Sequence, residues 1–128
     1  SDATAPAAEG ETLKDGAHPR TYGNISRLLG KYVREEQIIT LEEAIRRLTS
    51  LPARTLGISA RGRLAPSYFA DIAIFDPDSI ADKATYDNPH QYSVGMKHVI
   101  VNGLPVVLDG KHTGATPGRA IRGPGWVH

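Results

Sequence analysis

Gly62–Pro77, GRLAPSYFADIAIFDP, is where the apolar residues of this chain change their spacing. Before it they recur at helical intervals, and from Gly62 onward the period shortens toward two. Residues 70–76 read as a strand that Pro77-Asp78 closes. Within that strand Asp71 sets a carboxylate in an otherwise apolar run, which raises the question of what holds it.

Downstream, KHVIVNG (97–103) predicts a second strand, and Asn102-Gly103 is a strong hairpin signal. Residues 104–108 are the return strand, and Asp109-Gly110 makes a further turn. Residues 82–95 read as loop with Asn88-Pro89 as a breaker, and the Gly- and Pro-rich tail 114–128 reads as irregular. Three short strands bury little by themselves, so this half needs helices, another chain or upstream sequence to cover it.

Upstream, residues 40–50 carry the clearest helical pattern. Thr40 and Glu43 have capping-box spacing, and Leu41, Ala44, Ile45 and Leu48 form one apolar face. Glu42 and Glu43 in the first turn and Arg46 and Arg47 in the last complement the helix dipole. Ser50, Pro52 and Gly57 outline a second short helix. Residues 24–37 predict another helix with Asn24 as N-cap and Ile25, Leu28, Leu29, Tyr32 and Val33 on one face. Gly30 falls on the opposite side, at a cost of about 1 kcal/mol relative to alanine. Residues 1–23 read as loop.

The 128 residues carry a net charge of +1, with 40% hydrophobic and 23% charged residues. Those totals suit a globular chain and give no electrostatic case for nucleic acid or an anionic membrane. No run approaches the roughly 20 apolar residues of a membrane span. Without cysteine there is no disulfide, thiolate nucleophile or Cys-ligated zinc within the segment. His18, His90, His98, His112 and His128 show no H-x-H or H-x-x-x-H spacing, and His98 and His112 read as structural. Arg61-Gly62-Arg63 is short and reads as solvated surface. The chain opens on Ser1 rather than Met, as expected of a processed start or the tail of a longer chain.

The succession LEEAIRRLTSLPARTLGI, GRLAPSYFADIAIFDP, VGMKHVIVNGLPVVLDGKHTG resembles the C-terminal end of amidohydrolase-superfamily enzymes. HPRTYGNISRLLGKYVRE (18–35) is similar, more narrowly, to the HPR-x-YG-x-x-x-R-x-LG-x-YVR pattern of the N-acyl-D-amino-acid deacylases, the D-aminoacylases. The resemblance covers about residues 1–122. It implies an α/β fold class: residues 1–60 as the end of a catalytic (β/α) barrel, with active-site loop and C-terminal helices, and residues 61–128 as strands of a small accessory β-sandwich plus tail. It also implies that Asp71 is structural and bonds to nearby backbone. Two positions depart from the family pattern. Ser67 stands where glycine is usual, which predicts a different turn set with the help of Pro66, and Ala3 replaces the glycine that usually follows Ser-Asp.

The resemblance also assigns chemistry. Asp2 matches the general base that takes a proton from the metal-bound water and passes it to the leaving amine, and it is a possible metal ligand. Read from the residues alone, Asp2 is only a terminal loop position. Arg20 is implied to bind the substrate carboxylate, since a guanidinium suits that group in a bidentate way; His18 beside it is a second candidate for that contact, with a structural loop residue as the favoured alternative. The alternative for Arg20 is a surface arginine pairing with Asp15 or Glu11. The implied cofactor is a divalent metal, zinc first, with ligands mostly outside this segment. The implied reaction is hydrolysis of the amide of an N-acyl-D-amino acid, by the segment together with upstream barrel sequence or a partner chain. The 128 residues alone are expected to be inactive. The alternatives are a dihydroorotase- or hydantoinase-like enzyme, against which the HPR stretch argues, and a non-catalytic subunit packed on a barrel partner. A small molecule is the expected partner, without nucleic acid or membrane, and the cytoplasm the expected location.

Overall fold

A computed structural model describes residues 3–4, 6–14 and 16–126. It combines helices with an antiparallel sheet. Its contacts gather the residues up to Ile39 with Asp76–Gly95 into one unit, and Thr40–Phe75 with the residues from Met96 onward into another. No helix among the described residues is long and apolar enough to cross a membrane.

In the first unit a 3₁₀ turn, Gly10–Lys14, precedes helix α1, Arg20–Arg27. The helix begins before the expected Asn24: Pro19 stands at its N-cap position, and its carbonyl accepts from Gly23 N–H at 3.0 Å. Pro19 brings no N–H that would need a partner and its φ is already helical, −50°. The chain then continues as a π-helical segment, Leu28–Glu35, whose wider turns end with Glu36 N–H bonded to Lys31 C=O at 2.8 Å.

The expected apolar face is only partly buried, because the shift from α to π winding changes which side chains share a side. Leu29 is 3% exposed, whereas Ile25 is 52% exposed. Gly30 is buried, not solvent-facing as its place on the helical wheel predicts. A Cβ there would lie 2.5 Å from the Ile80 carbonyl oxygen, so glycine is what lets the segment 79–82 lie against the helix. Gly23 plays the same part toward Asp82, at 2.7 Å. Arg27 pairs with Asp82 at 3.1 Å, and Arg34 Nη1 donates to the carbonyls of Pro77 and Ile80 at 3.0 and 2.7 Å. Gly23, Arg27, Gly30 and Arg34 of the HPR pattern thus all serve one task, docking the helix onto residues 76–95. Ile80, 1% exposed, is the centre of that contact.

In the second unit α2, Leu41–Leu48, starts as the sequence predicts: Thr40 Oγ1 accepts from Glu43 N–H at 3.3 Å. The Glu43 carboxylate is engaged by Arg46 and Arg47, which hold its pKa down at about 2. Helix α3, Ser50–Thr55, ends in a Schellman motif. Gly57 has φ 65°, its N–H bonds to Arg54 C=O, and Ile58 N–H bonds to Ala53 C=O at 2.8 Å.

Strands β1 (Ile72–Phe75), β2 (Met96–Val101), β3 (Leu104–Leu108) and β4 (Lys111–His112) form one antiparallel sheet in chain order. Asn102-Gly103 and Asp109-Gly110 have positive φ at both positions, the I′ geometry that their sequences predict. Ile72 pairs with Ile100 on one face, and Ala73, Val99 and Val107 align on the other, so the sheet is apolar on both faces. His98 and His112 are structural: their Nδ1 atoms accept from the N–H groups of Asp109 and Gly114.

Asp71 is clasped from two sides. One carboxylate oxygen accepts from Asn102 N–H at 2.8 Å and the other from the Arg61 guanidinium. Arg61 also donates to Asn102 Oδ1 at 2.6 Å and stacks over Phe69 at 4.0 Å. Asn102 Nδ2 passes the network on to Pro117 C=O at 2.7 Å. Burial pushes the Asp71 carboxyl up, but Asn102 N–H and Arg61 outweigh it and hold it below the usual aspartate range. The strand is shorter than the expected 70–76, and Asp71, just before it, is the bolt that joins the loop before β1 to the β2–β3 turn.

Ser67 does not force a different turn. Pro66 and Ser67 occupy the centre of a turn closed by Tyr68 N–H to Ala65 C=O at 3.1 Å, and Ser67 itself takes φ 66°. That is the third position of a type II turn, where glycine is favoured. A left-handed non-glycine residue costs about 1–2 kcal/mol, and glycine returns part of that through unfolded-chain entropy. Ser67→Gly is expected to stabilise by about 0.5–1 kcal/mol, seen as a higher urea midpoint. An unchanged or lower midpoint would show that the serine is not strained.

Candidate functional site

The first unit carries a cavity of about 510 Å³ whose wall includes Thr4, Thr12, His18, Arg20, Thr21 and His90. Ala3 is also in the wall. No acidic side chain is among the described lining residues, so the wall offers one guanidinium, two imidazoles and several hydroxyls. A second cavity of about 360 Å³ shares His18 and Arg20 and is bordered by Asn24, Arg27, Asp82 and Tyr86. Arg20, the first residue of α1, lies on both walls.

The loop that precedes α1 is held by its own ring. His18 Nδ1 accepts from Arg20 N–H at 3.0 Å, and the His18 carbonyl accepts from Thr21 N–H at 2.9 Å. On the other side His18 Nε2 meets the Tyr86 hydroxyl at 3.1 Å, with the two rings edge to face. His90 is set by Tyr22, whose hydroxyl meets its Nδ1 at 3.0 Å. Tyr22 in turn packs edge-on against Tyr92, and the Tyr92 hydroxyl accepts from Ala8 N–H at 2.8 Å. Ser93 Oγ donates to the Tyr22 carbonyl at 2.9 Å and meets Ser26 Oγ. The Tyr86 hydroxyl thus braces His18 and the Tyr22 hydroxyl braces His90, the two imidazoles of the cavity.

The structure therefore brings the sequence-predicted His18 and Arg20 to one wall. Asp2 lies outside the described residues, but the residues that follow it, Ala3 and Thr4, line the same cavity as Arg20. His90 and Tyr86 belong to the site although the sequence shows them only within a loop. The one signal there was a cluster of Tyr86, His90 and Tyr92 around Asn88-Pro89.

Among the described residues no group of three or more His, Asp or Glu side chains is arranged to hold a metal ion. The described wall of the cavity holds the Arg20 guanidinium and the hydroxyls of Thr4, Thr12 and Thr21. A guanidinium offers two parallel N–H donors to a carboxylate, and neutral hydroxyls beside it take the remaining polar atoms.

A family model described as the amidohydrolase family matches residues 14–107. The N-acyl-D-glutamate deacylase of Alcaligenes xylosoxydans xylosoxydans is 46% identical over 105 residues, 82% of this chain and 21% of that protein. The crystal structure of D-aminoacylase superposes with a TM-score of 0.81 at 39% identity, covering 83% of this chain and 22% of that one. The N-acyl-D-glutamate deacylase of Bordetella bronchiseptica, solved with zinc and a phosphonate mimic of the tetrahedral intermediate, gives 0.70 at 48% identity over 76% of this chain and 21% of that one. The chain thus spans 21–24% of the curated deacylases it resembles.

Proposed function

The chain belongs to the amidohydrolase family, and we propose that in the intact protein it is the closing portion of an N-acyl-D-amino-acid deacylase. The reaction is hydrolysis of the amide to a carboxylate and a free D-amino acid, on a small molecule in the cytoplasm. Residues 1–60 are the end of the barrel and residues 61–128 part of the accessory sandwich. The two-sided apolar sheet supports that reading, since each face calls for cover that four short strands do not supply. Upstream barrel sequence, or a partner chain, provides it.

One observation carries the functional reading: Arg20 stands in the wall of a cavity that it shares with Ala3 and Thr4, the segment that follows Asp2. Arg20 binds the substrate α-carboxylate and so orients the amide. Asp2 is the general base: it takes a proton from the attacking water and returns it to the leaving amine. The cofactor of the relatives is metal, a binuclear centre in D-aminoacylase and zinc in the Bordetella enzyme. A divalent metal, zinc first, is the proposed cofactor here as well. No group among the described residues makes its site, so its ligands are assigned to the rest of the protein, with Asp2 as a candidate.

The test is an assay of the intact protein on paired N-acyl-D- and N-acyl-L-amino acids, with Arg20→Ala beside the wild type. D-selective release of the amino acid is expected. Loss of charge-assisted hydrogen bonds worth about 1.5–3 kcal/mol predicts that Arg20→Ala lowers kcat/KM roughly 10- to 100-fold, mostly through KM. L-selectivity, or an Arg20→Ala enzyme with unchanged KM, would overturn the reading.

A further inference from the structure

The sequence offers His18 as a second contact to the substrate, yet both nitrogens of its ring are already engaged. Nδ1 accepts from Arg20 N–H at 3.0 Å. A nitrogen that accepts carries no proton, so the ring proton of the neutral imidazole sits on Nε2, facing the Tyr86 hydroxyl 3.1 Å away. In that state the ring has no lone pair left for a metal and no N–H left for a substrate oxygen.

The two bonds do something else. Arg20 is the first residue of α1, and its N–H is one of the donors that a helix start leaves without an intrahelical acceptor. The preceding residue is proline, which has no side-chain acceptor to cap it. His18 supplies the cap from one position further out, and its carbonyl ties down Thr21 N–H as well. On its other side the ring lies edge to face with Tyr86, at 5.1 Å between centroids. The backbone of Arg20 is thereby fixed at the one point of the helix that faces both cavities.

We propose that His18 is a positioning residue, which together with Tyr86 holds Arg20 at the angle where its guanidinium meets the substrate α-carboxylate. The inference rests on the deacylase reading for the role of Arg20, and it adds a residue pair through which that role is set. Side chains of residues 18 and 86, from segments distant in sequence, form one clamp on the carboxylate-binding arginine.

The intact enzyme is assayed on an N-acyl-D-amino acid and on the corresponding N-acyl-D-amino-acid amide, which lacks the α-carboxylate. His18→Leu is expected to raise KM about tenfold for the acid, with kcat within about threefold, and to leave the amide substrate unchanged. His18→Asn, whose side-chain oxygen can take the place of Nδ1 as acceptor for Arg20 N–H, is expected to restore the acid KM to within about threefold. Tyr86→Phe removes only the hydroxyl and is expected to raise the acid KM two- to threefold. It tests the clamp should His18→Leu fail to fold. General damage to the fold would instead lower activity on both substrates alike.

Arg20→Ala separates the two readings. If it raises KM for the acid and not the amide while His18→Leu and Tyr86→Phe do neither, the clamp is wrong and the carboxylate role of Arg20 stands. If Arg20→Ala itself fails to distinguish acid from amide, the carboxylate role falls and the clamp with it. An Asn variant as impaired as the Leu variant also overturns the proposal.

Discussion

Gly95→Ala is expected to destabilise the protein by about 2–5 kcal/mol. Gly95 has φ 84°, in the left-handed region, where a Cβ costs about 1–2 kcal/mol. Its surroundings add a second cost. A Cβ at this position would lie 2.4 Å from Ile80 Cα and 2.5 Å from Ile80 N, and these are backbone atoms that cannot swing aside. Overpacking of that kind costs about 1–3 kcal/mol. The segment that would have to yield is the one that Asp76 organises. Asp76 N–H bonds to Gly95 C=O at 2.9 Å, Ile80 N–H to Asp76 C=O at 2.9 Å, and Ser79 Oγ to the Asp76 carboxylate at 2.6 Å.

Gly103→Ala is the internal control. Gly103 also has positive φ, 82°, but nothing lies within 4 Å of a Cβ built there, so only the backbone cost of about 1–2 kcal/mol applies. Urea denaturation of the intact protein should therefore place Gly95→Ala well below Gly103→Ala. Equal midpoints would mean that the Ile80 segment moves freely, and the account of how α1 docks on residues 76–95 would fail with it.

These glycines also show where the sequence stopped being readable. Signals that act within a few residues were legible. Asn102-Gly103 predicts its own turn because both residues tolerate positive φ, and Thr40 predicts its own cap because the N–H it accepts from is three residues away. Gly30 was misplaced because its reason lies fifty residues on, at the Ile80 carbonyl. On a helical wheel it is an exposed weak point, and in the fold it is the closest approach of two segments. The start of α1 was set four residues late for a related reason. Asn24 is a good capping residue, but the helix is started by Pro19 with the ring of His18 as its cap, which propensity alone does not rank.

The same division runs through the site. Arg20 and His18 were legible as a motif, because they flank Pro19 in one short loop. Tyr86 was not, since its partner is 68 residues away and nothing in the loop 82–95 shows which way a tyrosine faces. Asp71 was legible as an anomaly but not as a solution. Its need for partners follows from its place in an apolar run, whereas Arg61 and Asn102 are brought to it only by the loop and the hairpin.

Asp2→Asn is expected to lower kcat of the intact enzyme about 10²- to 10⁴-fold, the usual worth of a positioned general base, with KM changed by less than about threefold. Asparagine keeps the shape of the side chain and removes its ability to take a proton. Loss confined to kcat is the sign of a group that acts on the reacting atoms, and it contrasts with Arg20→Ala, whose loss should appear in KM. The two variants therefore separate proton transfer from carboxylate binding within a single chain. The metal content of the purified variant resolves the remaining question about Asp2. A variant that retains its metal and loses kcat identifies the carboxylate as base alone, whereas one that loses metal in step with activity makes it a ligand as well. A kcat within about threefold of wild type would remove Asp2 from the chemistry.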